Sequence, residues 1–150
     1  MIEPVDNNNI DDLLPLVRAY QEFYGAADIN DESNRAFFAQ FSENSESGCQ
    51  FLFRRDGAAI AFATVYFNFS STLAAKVGVL NDLYTTPAYR SSGVGRELIE
   101  HCRQFAQRRG AIRLQWLTAT DNLTAQRLYD SLDTRKSDWH FYTYSTGTGP

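Results

Sequence analysis

The run LYTTPAYRSSGVGRELIEHC, Leu83 to Cys102, holds the residues of this chain best suited to chemistry. Pro87 stops an apolar stretch, Arg90 follows, and Gly93 and Gly95 open a helical pattern. Backbone N–H groups of Ser91, Ser92, Gly93, Val94, Gly95 and Arg96 are expected to converge at that helix N-terminus, where the dipole favours an anion. Glycines at 93 and 95 let a bulky pyrophosphate approach the backbone, and Arg90 and Arg96 add charge-assisted bonds. Two common phosphate loops are excluded. A Walker loop requires Lys-Ser/Thr directly after its glycines, and GVGRELI has none. A dinucleotide fingerprint requires a third glycine where Leu98 stands. Gly-rich strand-to-helix turns also arise for steric reasons, so the turn alone leaves phosphate binding and plain packing both open.

The elements that must position this turn are legible on both sides of it. A chain of 150 residues, 43% hydrophobic and 21% charged, reads as one soluble globular domain spanning 1–150. Residues 1–6 suit a short first strand. Leu13, Leu14, Leu16, Val17, Tyr20, Phe23 and Tyr24 recur at helical spacing up to Gly25, and a second helix is expected over 31–43 on Phe37, Phe38 and Phe41. CQFLFRRDGAAIAFATVYF reads as two strands joined at Asp56-Gly57, with a third strand over 75–85. Val94, Leu98, Cys102 and Phe105 form one apolar helical stripe ended by Gly110. IRLQWLTA at 112–119 is expected as a strand, a helix follows on Ala125, Leu128, Tyr129 and Leu132, and WHFYTYS closes the chain as an aromatic strand. The order β-α-α-β-β-β-α-β-α-β implies an α/β (α+β) fold with a mixed sheet and helices on both faces. The polar tail STGTGP reads as frayed.

Several function classes are disfavoured at this stage. A net charge of −4 does not favour non-specific nucleic-acid binding, and the cluster Arg103, Arg108, Arg109 and Arg113 suits an exposed helix end. No stretch reaches the length of a membrane span, and MIEPVDNNNI lacks the layout of a signal peptide, so a cytoplasmic location is the expectation. Cys49 and Cys102 have neither CxxC spacing nor a histidine cluster and read as free thiols used in packing.

The run P-x-x-R-x-x-G-x-G-x-x-L (Pro87, Arg90, Gly93, Gly95, Leu98) is followed about 27 residues later by N-x-x-A-x-x-L-Y (Asn122, Ala125, Leu128, Tyr129). Together they resemble the GCN5-related N-acetyltransferase (GNAT) superfamily, and the resemblance covers nearly the whole chain. LNDLY and WLTATDNLTAQRLYDSL look most like the small amine acetyltransferases, among them the yeast histone and D-amino-acid N-acetyltransferases. The resemblance implies a mostly antiparallel central sheet of six to seven strands, acetyl-CoA as cosubstrate, no metal, and a homodimer. It implies that the turn from Arg90 through Ser91, Ser92, Gly93, Val94, Gly95 and Arg96 holds the pyrophosphate. Leu83, Tyr84 and Thr85 would bond the pantetheine arm through a strand that splays from its neighbour, with a backbone N–H there polarising the thioester carbonyl. Asn122, with Ala125, would contact the same arm, while Asn122 also suits an N-cap.

Tyr129 stands where the family has its general acid. A phenol of pKa about 10 stays protonated at neutral pH, while a thiol leaves with pKa of about 8.5; the alternative is that Tyr129 completes an apolar stripe. An alkylammonium of pKa about 10.4 must lose a proton before it attacks. In the diamine enzymes the segment matching LND carries an acidic pair; here its first member is Asn81, leaving Asp82 as the leading base, ahead of a water relay and His140. The family's glycine after Y-x-x-x is replaced by Asp133, which would have to take the left-handed conformation. Acceptor specificity in this fold implies Tyr20, Phe23, Tyr24, Asp28, Asp31, Glu32 and Asn81, with Trp139 and Tyr142 opposite. Aromatic walls with carboxylates suit a cation such as a polyamine or lysine. The reading is an N-acetyltransferase acting on a primary amine (small amine, polyamine, amino acid or lysine side chain) by direct attack. Two alternatives stand beside it, a non-catalytic acyl-CoA-binding or sensing module, favoured by Asn81, and an enzyme acting on protein.

Overall fold

A computed structural model describes residues 1–148; Gly149 and Pro150, the end of the tail expected to fray, lie outside the described residues. The chain falls into two compact units, Met1–Leu117 and one beginning at Thr118. In the first unit β1 (Ile2–Pro4) is followed by α1 (Ile10–Phe23) and α2 (Asp31–Phe38). Then come β2 (Gly48–Arg55), β3 (Ala58–Ser70), β4 (Ala75–Thr85), a 3-10 turn (Pro87–Tyr89), α3 (Val94–Arg108) and β5 (Leu114–Gln115). The strands form one mixed sheet in the order β1-β2-β3-β4-β5, antiparallel except for the β4–β5 pair.

The two faces of the sheet carry different layers, because successive strand side chains point to opposite sides. Leu52, Phe62 and Tyr84 pack with Val5, Ile10, Leu13, Leu16, Val17 and Phe38, which is the α1 face. Phe51 packs edge-to-face with Phe105 of α3, ring centroids 4.9 Å apart, on the other face. Cys49 and Cys102 are both free and buried, as expected, and burial pushes the Cys49 thiol up to about 12. The β2–β3 turn is Asp56-Gly57, with φ of 50° and 82°, a left-handed pair that matches the twist of a two-residue hairpin.

Two irregularities in the ladders matter for the site. Between β2 and β3 the register shifts after Phe53, so Ile60 is skipped: Arg54 faces Ala59 and Phe53 faces Ala61. Between β3 and β4, Thr64 faces Asp82 and Val65 faces Leu80, which leaves Asn81 as the extra residue of a β-bulge. A bulge bends its strand, and β4 parts from β5 just below it. The β4–β5 ladder consists of Gly78↔Leu114 and Val79↔Gln115, whereas β4 itself runs on to Thr85.

Three expectations are corrected by these elements. The second helix ends at Phe38, short of residue 43. The Gln40 side-chain amide donates to the Phe37 carbonyl at 3.1 Å, and Phe41 leaves the helix axis to stack on Tyr66 at 5.2 Å. The strand expected over 112–119 shrinks to Leu114–Gln115 because β4 turns away beyond Val79. Among the described residues the sheet has five strands rather than six to seven. The run 139–145 forms no strand: Trp139, Phe141, Tyr142 and Tyr144 are exposed, and no ladder partner accompanies them among the described residues. Strand pairing requires a partner edge, and aromatic content does not supply one. The second unit contains α4 (Leu123–Asp130).

Candidate active site

The bulge at Asn81 sets the orientation of the most unusual side chain in the sheet. Leu80 and Asp82 face the consecutive residues Val65 and Thr64, so they point to opposite sides, and Asp82 joins Tyr84 on the α1 face. Only 6% of Asp82 is exposed. Burial raises its carboxyl pKa, opposed by Thr64, by the Tyr20 hydroxyl and by the Asn81 amide. Asn81 Nδ2 donates to Asp82 Oδ1 at 3.1 Å. Thr64 opposes that rise, and its Oγ1 is among the buried polar atoms without a hydrogen-bond partner among the described residues. Among the described residues, no lysine, arginine or histidine is a cause of the shift.

Aromatic groups cover this carboxyl from α1. Tyr20 packs edge-on to Phe62 at 5.7 Å and to Tyr84 at 6.3 Å, and its hydroxyl is held protonated by burial and by Asp82. Tyr24 stacks on Tyr20 at 4.9 Å and is 62% exposed, so the last turn of α1 runs from the buried carboxyl out to solvent. Tyr66 of β3, not foreseen from the sequence, also has its hydroxyl raised by burial and by Asp82. It connects to Phe41 and, through Phe41, to Phe37 at 5.4 Å. Asp31 is engaged elsewhere, accepting from Arg18 Nε at 3.0 Å. Asp28, with φ of 55°, and Glu32 are exposed.

Beyond Tyr84 the chain enters the glycine turn. Ser91 and Gly93 take φ of 62° and 87°, and α3 starts at Val94. Alternating backbone signs of this kind aim successive N–H groups into one concavity. A Cβ built at Gly93 meets nothing within 4 Å, so backbone conformation rather than crowding requires glycine there. No side chain caps α3, whose first N–H groups lack intrahelical partners by geometry. The Ser92 hydroxyl donates to the Tyr89 carbonyl. Arg90 Nε donates to the Thr85 carbonyl at 3.0 Å, with its guanidinium 5.4 Å from the Phe23 ring and 5.7 Å from that of Tyr84. The turn is thereby tied to the ends of β4 and α1. Along Leu83, Tyr84 and Thr85, β4 pairs with β3 alone among the described residues. An open strand edge leading to an uncapped helix N-terminus fits an extended ligand that ends in a pyrophosphate.

A family model described as the acetyltransferase (GNAT) family matches residues 13–133. The chain belongs to this family. It is an N-acetyltransferase, and the family's acetyl donor is acetyl-CoA. The GNAT chain is 33% identical over 119 residues to the uncharacterized N-acetyltransferase YhfO of Bacillus subtilis strain 168, covering 79% of this chain and 78% of that protein. The D-amino-acid N-acetyltransferase HPA3 of Saccharomyces cerevisiae is 40% identical over 73 residues, 49% of this chain and 45% of HPA3. The crystal structure of a probable acetyltransferase superposes with a TM-score of 0.84 at 30% identity, covering 97% of both chains. That structure and this chain share the GNAT fold.

The second unit carries the remaining expected GNAT positions. Asn122 caps α4, its Oδ1 accepting from Ala125 N at 3.2 Å, as its residue type implies. Tyr129 is half-buried in the last turn of α4, where its carbonyl accepts from Thr134 Oγ1 at 2.8 Å. The left-handed conformation expected at Asp133 does not occur; among the described residues positive φ outside glycine is confined to Asp28, Asp56, Ala74 and Ser91. Side-chain hydroxyls replace that cap, with Ser131 Oγ donating to the Leu128 carbonyl and Thr134 to that of Tyr129. Trp139 and Tyr142, expected on an acceptor wall, are 84% and 87% exposed.

Proposed function

We propose that this acetyltransferase transfers the acetyl group of acetyl-CoA to the primary amine of a small cationic acceptor, with Asp82 as general base and Tyr129 as general acid. The observation that carries the reading is Asp82 itself. A carboxyl 6% exposed, walled by Tyr20 and Tyr66 and shifted by no basic side chain among the described residues, is completed electrostatically by an ammonium ion. Burial raises the pKa of the carboxyl and lowers that of an ammonium, so the gap that opposes proton transfer in water narrows where the two meet. Aromatic faces on the approach add cation–π attraction of about 0.5–2 kcal/mol. That HPA3 is a D-amino-acid N-acetyltransferase supports an amine acceptor of small size.

Acetyl-CoA supplies an activated thioester. The residues that would hold it are Leu83, Tyr84 and Thr85 along the open edge of β4, the turn Arg90 to Arg96, and Asn122 with Ala125. A β4 backbone N–H would receive the carbonyl oxygen as it gains charge. Asp82 takes one proton from the ammonium, and the free amine attacks the thioester carbonyl directly. As the C–S bond breaks, Tyr129 donates to the departing sulfur and is reprotonated by the second proton, which the new amide nitrogen sheds. No covalent enzyme intermediate is required.

Thiol release from acetyl-CoA, followed against polyamines, amino acids of both hands, aminoglycosides and lysine peptides, tests the acceptor. Turnover is expected with small cationic amines. Exclusive turnover with lysine peptides would move the reading to a protein substrate.

A further inference from the structure

Behind Asp82 the sheet carries two more buried polar side chains that the acetyl transfer does not use. Gln50 of β2 faces Thr64 of β3, and Thr64 faces Asp82 of β4, so all three project from the same face as a row across adjacent strands. Gln50 and Thr64 are wholly buried, at 0% exposure. Gln50 Nε2 and Oε1 and Thr64 Oγ1 have no hydrogen-bond partner among the described residues. A buried polar group left unpaired costs roughly 1–3 kcal/mol, and Leu or Val would occupy these positions without that cost. Their neighbours along the strands, Phe51, Leu52, Ala63 and Val65, are all apolar. A polar row inside an apolar sheet, ending on a buried carboxyl, points to a role in governing that carboxyl.

We propose that Thr64 and Gln50 are positioning residues for Asp82, forming with it a hydrogen-bond row whose direction reverses when the carboxyl gains or loses its proton. The inference rests on the reading of Asp82 as the base. With Asp82 ionised, the Thr64 hydroxyl donates to the carboxylate, and Gln50 Nε2 donates to Thr64 Oγ1. When Asp82 takes a proton, one N–H bond of the ammonium breaks, a carboxyl O–H forms, and the nitrogen lone pair becomes free to attack. The new O–H then donates to Thr64 Oγ1, whose own hydrogen turns to Gln50 Oε1. No proton travels along the row; only its orientation changes. An amide offers a donor and an acceptor on separate atoms, so it can end the row in either state without a charge. Cross-strand neighbours with Cβ atoms about 4.5–5.5 Å apart need only small side-chain rotations to meet. The titratable groups facing the carboxyl are Tyr20 from α1 and Tyr66 from β3, both held protonated. Neither changes charge over the range in which Asp82 titrates, so a shift in its titration reports on the row.

The test is a titration of the Asp82 side-chain carboxyl by 13C NMR in wild type, Thr64→Val, Thr64→Ser and Gln50→Leu, with Asp82→Asn used to assign the resonance. Loss of the Thr64 donor is expected to move the midpoint up by about 1 pH unit. The acid limb of the kcat/KM profile should move with it. Gln50→Leu is expected to shift both in the same direction by less, and Thr64→Ser to restore wild-type behaviour. Thermal melting verifies that each variant folds. Midpoints equal to wild type in folded Thr64→Val and Gln50→Leu proteins overturn the row. Undiminished turnover in Asp82→Asn overturns the base reading instead, and because the titration does not depend on turnover, it still decides the row.

Discussion

In the proposed reaction two side chains carry the proton transfers, and each can be interrogated separately. Tyr129→Phe removes one oxygen and should lower kcat by about 10²–10⁴-fold, the usual contribution of a positioned acid. The dissociation constant for acetyl-CoA, measured by calorimetry, should stay within about twofold of wild type, since binding energy shared by ground and transition states is untouched. An unchanged kcat removes Tyr129 from the mechanism. Asp82 should impose an acid limb on kcat/KM. As a base it works when ionised, and burial raises its pKa, so activity should fall at a pH above the ordinary aspartate value of 3.8. In Asp82→Asn that limb should vanish along with most of the rate. Asp82, Asn81 and Tyr20 were each legible from residue type and position in the resemblance. Gln50, Thr64 and Tyr66 were not, for a specific reason. Counting outward from the Asp56-Gly57 turn in regular register puts Gln50 opposite Ala63, and the skipped Ile60 moves it to Thr64. A one-residue slip changes which side chains share a face.

The element that decides the site is β4 with the turn beyond it. Its bulge at Asn81 rotates Asp82 from the α3 face to the α1 face and parts β4 from β5, two consequences of one extra residue. The turn places glycine at φ of 87° in an open position, so Gly93→Ala meets backbone strain and no clash. The expected cost is about 1–2 kcal/mol in stability, the penalty for a left-handed residue bearing a Cβ. Because that conformation aims the α3 N-terminus, KM for acetyl-CoA should rise by about tenfold, with KM for the amine little changed. Steady-state kinetics varying each substrate distinguishes the two. A rise in the amine KM alone would mean that the turn serves the acceptor. The existence of these elements could be read from hydrophobic periodicity, since α1, β3, β4, α3 and α4 all occur where the pattern puts them. The ends of α2 and β5 could not, because the packing of Phe41 on Tyr66 and the divergence of β4 are tertiary events.

For the whole molecule, the buried carboxyl sets function against stability. Burial makes the folded-state pKa of Asp82 higher than its unfolded value. Between those two values the folded protein binds more protons than the unfolded one, so stability falls as pH rises through the interval and stays lower above it. Asp82→Asn, which keeps the shape and removes the charge, should therefore melt at a higher temperature than wild type at pH 7. The difference should shrink as pH falls through the raised pKa toward 3.8. Calorimetric scans across that range measure it, and a lower melting temperature for the variant at pH 7 would mean that the charge is better compensated than its surroundings indicate. Burying a carboxyl at this cost is what a group held for chemistry entails.

Hydrophobic periodicity set the order of the elements through α4 and the glycine turn, and the two-part motif, by its resemblance, pointed to the family and through it to acetyl-CoA. These are local signals: a helix stripe, a turn dipeptide or a helix N-terminus is specified by residues a few positions apart. The strand count, the reach of β5 and the polar row behind Asp82 were decided by tertiary structure. Each depends on which residue faces which across strands. One bulged residue resets that pairing without leaving a mark in the local pattern.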